Sequence, residues 1–353
     1  MGTAVESVKI QKGETKPMTD ELTAKCELLI QNLEVINKKY LLENENLCLM
    51  AGLVFTSADK EADAGKLAEC KKILDKSTGI LSNLRANPKM VLLSKMAVSD
   101  DPEKYLSNVI NVYQKIHHGT KLENSYMTLA AIHICDLGRQ DEAEDLIAKA
   151  EQITERMNKD HPFLTASEDT SFIMLLALTE KSADTILECI EEAYDYLANT
   201  CKINASPNSI QGLSEVLAIS YGDTKEKCDK VMRLHNALKA KDADIGSDSE
   251  ILVLGSLIDC SIDTDSLVNE IIEAEGQLSQ NKRFKGEKTD KKKRLMYASM
   301  LASEVFGRQS AVMDNSVMSN ILSGVIVKQI SVAISITANL ASAAIPKGKE
   351  SDS

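Results

Sequence analysis

Tryptophan is absent from this chain of 353 residues, and aromatic side chains make up 4% of it. Stacking platforms for single-stranded nucleic acid, which draw on several rings, are therefore scarce. A formal net charge of -12 sets the chain against a phosphate backbone over any large face, so nucleic acid is not an expected partner. Six prolines and 16 glycines are too few for a fibrous or low-complexity chain, and 43% hydrophobic with 27% charged residues is the balance of a globular protein. The eight cysteines form no CxxC pair and no Cys/His zinc spacing. They read as free thiols in the apolar faces of helices, which suits a reducing cytosol.

Met1 to Lys16 is polar, with no apolar run behind a basic segment, so a secretory signal is not expected. HExxH, GxxxxGK[ST], GxSxG and a GxGxxG placed after a strand are all missing, which lowers the expectation of an enzyme. Neither a metal nor a cofactor is expected. Strand signals are weak up to the β-branched tail.

What is present is a recurring pattern. A short apolar segment returns seven times about every 40 residues: Leu47 to Leu53, Met90 to Val98, Met127 to Ile134, Phe172 to Leu178, Ile210 to Ile219, Ile251 to Ile258 and Leu295 to Leu301. Between these lie amphipathic stretches. In Thr185 to Leu197, the residues Ile186, Leu187, Ile190, Ala193, Tyr194 and Leu197 make one helical stripe, with Glu188, Glu191, Glu192 and Asp195 opposite. Pro88, Pro102, Pro162 and Pro207 fall at the joints. The spacing predicts an all-α protein of about seven helical hairpin repeats. They stack into an α-α superhelix, with a closed α/α toroid as the alternative, and a C-terminal apolar helix follows.

Linkers from an apolar helix to the next amphipathic one are short and offer Asp, Ser or Thr as helix caps, as in Ser99 to Glu103, Glu180 to Asp184 and Ser261 to Asp265. Those on the other edge are longer: His117 to Ser125, Asn158 to Asp169, Cys201 to Asn208, Lys239 to Asp248 and Ser279 to Lys293. Insertions on one edge of such an array mark a binding face. The organisation read from this is a flexible leader at 1–18, a helical-repeat domain at 19–306, an apolar capping or association helix at 307–345 and a polar tail at 346–353. The apolar segment Ile321 to Ile345 is long enough to span a bilayer but carries Ser, Gln, Thr and Asn throughout. It is read as a cap on the last repeat, with homodimer or membrane-surface contact through 316–345 as the other options.

On the long-linker edge, Asp160, His161, Thr165, Glu168 and Asp169 bring together an imidazole, carboxylates and a hydroxyl. His161 could carry a proton near neutral pH with Asp160 or Asp169 orienting it, while the bland reading makes Thr165 and Asp169 helix caps. With Arg85 these are the candidate ligand-binding residues, and none is assigned as catalytic. His117 and His118 are adjacent and diverge in a helix, His133 lies within an apolar segment, and His235 resembles it. They read as helix-end and core histidines. Lys282, Arg283, Lys285, Lys288, Lys291, Lys292, Lys293 and Arg294, against Glu287 and Asp290, give one linker a charge of +6 and leave -18 on the rest of the chain. That linker is the candidate contact for an anionic surface.

As an ordered set, Thr78-Gly79 with Arg85, Phe163-Leu164-Thr165 with Ser167 and Asp169, Gly212-Leu213-Ser214 with Leu217-Ala218, and Arg294-Leu295-Met296 resemble the bacterial domain of unknown function 4003 family. The resemblance runs roughly from Asp20 to Glu304. It implies an intracellular bacterial protein and brings no activity with it. The functional expectation is a non-catalytic, cytoplasmic helical-repeat protein that binds a protein or small-ligand partner through its long-linker edge, or scaffolds around it. The alternatives are an α/α-toroid enzyme or small-ligand binder centred on His161 and Asp169, and a peripheral membrane protein.

Overall fold

The computed structural model describes residues 18–40, 45–79, 83–85, 89–119, 126–160, 170–284 and 290–307. Among them the regular structure is helical. Seven amphipathic helices are α1 (Asp20–Lys39), α3 (Ala64–Ser77), α5 (Pro102–Gly119), α7 (Ala143–Asp160), α9 (Ala183–Asp195), α11 (Thr224–Ala240) and α12 (Thr264–Gln280). They alternate with the apolar helices α2 (Glu45–Ser57), α4 (Lys89–Val98), α6 (Tyr126–Asp136), α8 (Thr170–Ala177), α10 (Pro207–Ile219), a 3-10 helix Ser249–Ser256, and α13 (Lys291–Phe306).

The two classes differ in how they are covered. In α9 only the stripe Ile186, Leu187, Ile190 and Ala193, with Ala183 at its start, is buried. In α4 every residue from Met90 to Ala97 is buried, as is every residue from Ser209 to Ile219 in α10. A helix sealed on all sides belongs to an inner layer and one sealed along a stripe to an outer layer. The outer helices α3, α9, α11 and α12 start on aspartate or serine caps. Asp63 accepts from Gly65 N and Lys66 N, Ser182 from Thr185 N, Asp223 from Glu226 N and Asp263 from Ser266 N.

The outer helices pack in chain order from α1 round to α12, and α12 then packs on α1, which also meets α13. Polar contacts stitch this seam. Thr19 donates its backbone N–H and its hydroxyl to Glu270 Oε2 (3.0 and 3.2 Å), Gln277 Nε2 reaches Thr23 O (3.5 Å), and Ser57 donates to Glu304. The expected open superhelix is therefore corrected in favour of the closed arrangement. An open array exposes an apolar face at each end, whereas here the first and last helix pairs cover each other. Of the leader 1–18 only Met18, and of the segment 307–345 only Gly307, lie among the described residues.

Two local departures have identifiable causes. The sixth apolar segment winds as a 3-10 helix that presses on α10 through Gly255, where a Cβ would stand 2.6 Å from Val216 Cγ1. At the end of α9 the chain widens into a π-turn, Tyr196–Thr200, closed by Cys201 N to Tyr196 O at 2.8 Å. Among the described residues no helix is long and apolar enough to cross a membrane. The cysteines are free thiols: Cys26, Cys48, Cys70, Cys135 and Cys228 are buried, and Cys189, Cys201 and Cys260 half-buried.

Candidate functional site

Connectivity alone makes the two edges of the ring unlike. Inner and outer helices alternate along the chain, so all inner N-termini gather at one edge and all inner C-termini at the other, and the linkers entering α4, α8 and α10 are longer than those leaving them.

At the long-linker edge, Arg85 follows α3 in a short 3-10 turn and forms an ion pair with Asp75 of α3; the hydrogen bond from Lys71, and then that from Arg85, holds this carboxyl below its ordinary range. Asp160 closes α7, but its side chain, like His161, Thr165, Glu168 and Asp169, lies outside the described residues. Within the basic linker Lys282 is exposed, while the Arg283 side chain, Lys285 and Lys288 lie outside the described residues. Lys291 donates to Asp242 O (2.5 Å), and Lys292 lies across Gly246. Asp290 caps α13 by accepting from Lys293 N. Arg294 points inward: its Nε bonds Glu275 Oε1 at 2.6 Å and its Nη1 bonds Phe284 O at 3.0 Å. Lys291 and Arg294 are thus bound into the fold, and the reach of this linker toward an anionic surface rests on fewer residues than its composition suggests.

The short-linker edge holds a feature that composition did not single out. Cations from the outer helices and the short linkers donate to the terminal carbonyls of four inner helices. Lys25 bonds Thr56 O of α2 (2.9 Å), and Lys60 bonds Val98 O of α4 (2.6 Å). Behind α8, Arg139 bonds Leu178 O and Lys149 bonds Thr179 O, both at 2.6 Å. Behind α10, Lys181 bonds Ala218 O (2.6 Å) and Lys227 bonds Leu217 O (2.7 Å). The linker cations stand 37 to 39 residues before their carbonyls. Such bonds satisfy orphan carbonyls and oppose the negative helix ends.

Next to the seam the same edge buries charge. Lys95 of α4 pairs with Asp136 of α6 at 2.6 Å, and Tyr105 donates to the same carboxylate at 2.7 Å. Burial first, then the Asp136 charge, pushes the Tyr105 phenol well above its ordinary value. Glu304 sits beside Ser57 and Lys25, yet burial outweighs both and raises its carboxyl. Lysines or glutamates set inside otherwise apolar segments, Lys95 in MVLLSKMAV and Glu304 in LASEVF, are the sequence signal that would have pointed here.

The histidines among the described residues fall where the sequence placed them. His133 is 1% exposed in α6, His235 is buried in α11, and His118 is exposed at the end of α5. Among the described residues no group of three His, Cys, Asp or Glu side chains could hold a metal ion. A polar groove of about 670 Å³ separates α5 from α7, lined by Asn108, Asn111, Lys115 and Gln140 and bridged by Lys115 and Glu144 at 3.3 Å.

The architecture is that of an all-α protein whose alternating inner and outer helices close into a ring. The chain belongs to the family described as protein of unknown function (DUF4003), whose family model matches residues 32–331. Comparison with curated proteins and with solved structures returned no match.

Proposed function

We propose that this chain is a non-catalytic, bacterial, cytoplasmic helical-repeat protein that binds or scaffolds a partner through the long-linker edge of its ring. The observation that carries this reading is the inequality of the two edges. The short-linker edge is occupied by the protein's own cations on its own helix ends. The return of the same device behind four of the inner helices, with each linker cation 37 to 39 residues before its carbonyl, supports the repeat reading. The opposite edge has the longer connections, where repeat proteins vary their contacts. In-cell cross-linking with peptide mapping tests the assignment. Partner cross-links gathered on Lys202, Lys241 and Lys282 support it, and cross-links gathered on Lys71 of the outer wall or on Lys104 and Lys225 at the short-linker edge overturn it.

Ring closure also favours a second reading, since it is the architecture of the α/α-toroid enzyme or small-ligand binder centred on His161 and Asp169. Native mass spectrometry of the untagged full-length chain separates the two: a stoichiometric bound small molecule replaces the scaffold reading with the ligand-binding one. The same measurement on a chain ending at Asn315 tests association through 316–345, as a homodimer or at a membrane surface. A dimer or bound lipid that disappears with the segment assigns it that role.

A further inference from the structure

One pair of capping lysines shares an acceptor. Lys181 Nζ donates to Ala218 O (2.6 Å) and Ser220 O (2.5 Å), and Lys227 Nζ donates to Leu217 O (2.7 Å) and to the same Ser220 O (3.1 Å). Two amino groups therefore converge on one carbonyl oxygen. Two other cations of this edge sit beside carboxylates: Lys25 has Asp59 at 2.8 Å and Glu304 at 3.8 Å, and Arg139 has Glu142 and Glu180. Neither Lys181 nor Lys227 has an ion-pair partner among the described residues. The groups that face them are Cys189, near both, with Asp223, Asp259 and Cys228 more distantly around Lys227.

The two are unequally accessible. Lys227 is 3% exposed, whereas Lys181 is half-buried with its Nζ 4.9 Å from the ring centre of Tyr221, itself 49% exposed. We propose that Lys181 is an acylation site, an amine positioned to take an activated acyl group from an acyl phosphate or a thioester. A neutral amine keeps two N–H groups, and Ala218 O and Ser220 O accept two, which leaves the nitrogen lone pair for an electrophile. In the step, that lone pair forms an N–C bond to the acyl carbon. The C–O bond to phosphate, or the C–S bond to the thiol, breaks with its electrons on the leaving group, and one amine proton passes to water. The product amide has a single N–H, so one of the two carbonyls loses its donor and Lys227 loses its charged neighbour.

Burial first, and then the Lys227 charge, lowers the Lys181 ammonium from the ordinary 10.5 to about 8. At pH 7.5 that leaves about 200-fold more neutral amine than an exposed lysine has. The less basic amine is the weaker nucleophile, and a Brønsted slope of about 0.4–0.5, taken from thiols, reduces the advantage to about tenfold.

The test incubates the full-length protein with acetyl phosphate in one arm and acetyl coenzyme A in the other, and follows acetylation of each lysine by peptide mass spectrometry. Lys181 is expected to react about tenfold faster at pH 7.5 than exposed Lys202 and Lys282, with a rate that levels off above about pH 8. The arm in which this happens names the donor class. Lys227→Gln removes the neighbouring charge and should bring the Lys181 rate toward that of Lys202. If that variant does not fold, the pH profile of the natural chain decides alone. A Lys181 rate at or below that of the exposed lysines in both arms overturns the proposal.

Discussion

Replacing Lys95 by methionine tests whether the charge buried beside the ring seam behaves as the geometry requires. The side chains of Lys95 and Asp136 retain 10% and 7% of their exposure, and their charged atoms are 2.6 Å apart. Removing the cation leaves Asp136 buried with only the Tyr105 hydroxyl to serve it. Breaking such a pair from one side costs about 3–5 kcal/mol, against about 0–1 kcal/mol for an exposed pair. For a chain of this length unfolding as one unit, that corresponds to a fall in Tm of about 4–7 °C. Adding Asp136→Asn removes the stranded charge and keeps an acceptor for Tyr105, so the double variant should recover half or more of the loss. Urea unfolding followed by helical circular dichroism, with calorimetry for Tm, measures all three proteins. A loss below about 1 kcal/mol for Lys95→Met would refute the reasoning, because the pair would then be behaving as a solvated one.

Three further outcomes follow from the same structure. His235 is buried in α11, and desolvation holds its imidazole below the ordinary 6.5, with Asp244 and Lys239 acting in opposite senses. The unfolded chain therefore takes up the proton first. Stability should be unaffected above about pH 6.5 and fall as the pH drops through the lowered native value, and a His235→Leu variant should flatten that dependence in urea titrations from pH 7.5 to 5. Gly255→Ala places a methyl group 2.6 Å from Val216 Cγ1 and should cost about 1–3 kcal/mol, partly recovered by Val216→Ala; full stability of the single variant would show that the 3-10 helix can draw back from α10. Burial pushes the thiols of Cys26, Cys135 and Cys228 up to about 12. A thiol reagent at pH 8 should label these three slowly in the native protein and all eight cysteines after unfolding, and rapid native labelling of Cys26 would contradict its place in the core.

Much of the fold was legible along the chain because helix class is a local property. An apolar stretch such as Phe172 to Leu178 has no polar face and must be covered all round, whereas Thr185 to Leu197 carries one stripe and needs a single neighbour. The caps Asp63, Ser182, Asp223 and Asp263 act within three residues of themselves, so their chemistry can also be read from the chain. Closure could not be read in this way. An open and a closed array share the same local pattern, and the decision rests on contacts such as Thr19 with Glu270, 251 residues apart. The 3-10 winding at Gly255 likewise depends on how closely α10 approaches.

The charged groups divide along the same line. Sequence alone determined that lysines interrupt apolar stretches and that one linker is basic. Only the tertiary structure decided that Arg294 turns inward to Glu275, that Lys95 meets Asp136, and that Lys181 and Lys227 share the Ser220 carbonyl. The reason is physical. An apolar side chain is satisfied by any dry neighbour, so its pattern along the chain suffices, but a buried charge needs a particular partner at bonding distance, and that partner is chosen by the packing of helices that the chain brings together from far apart.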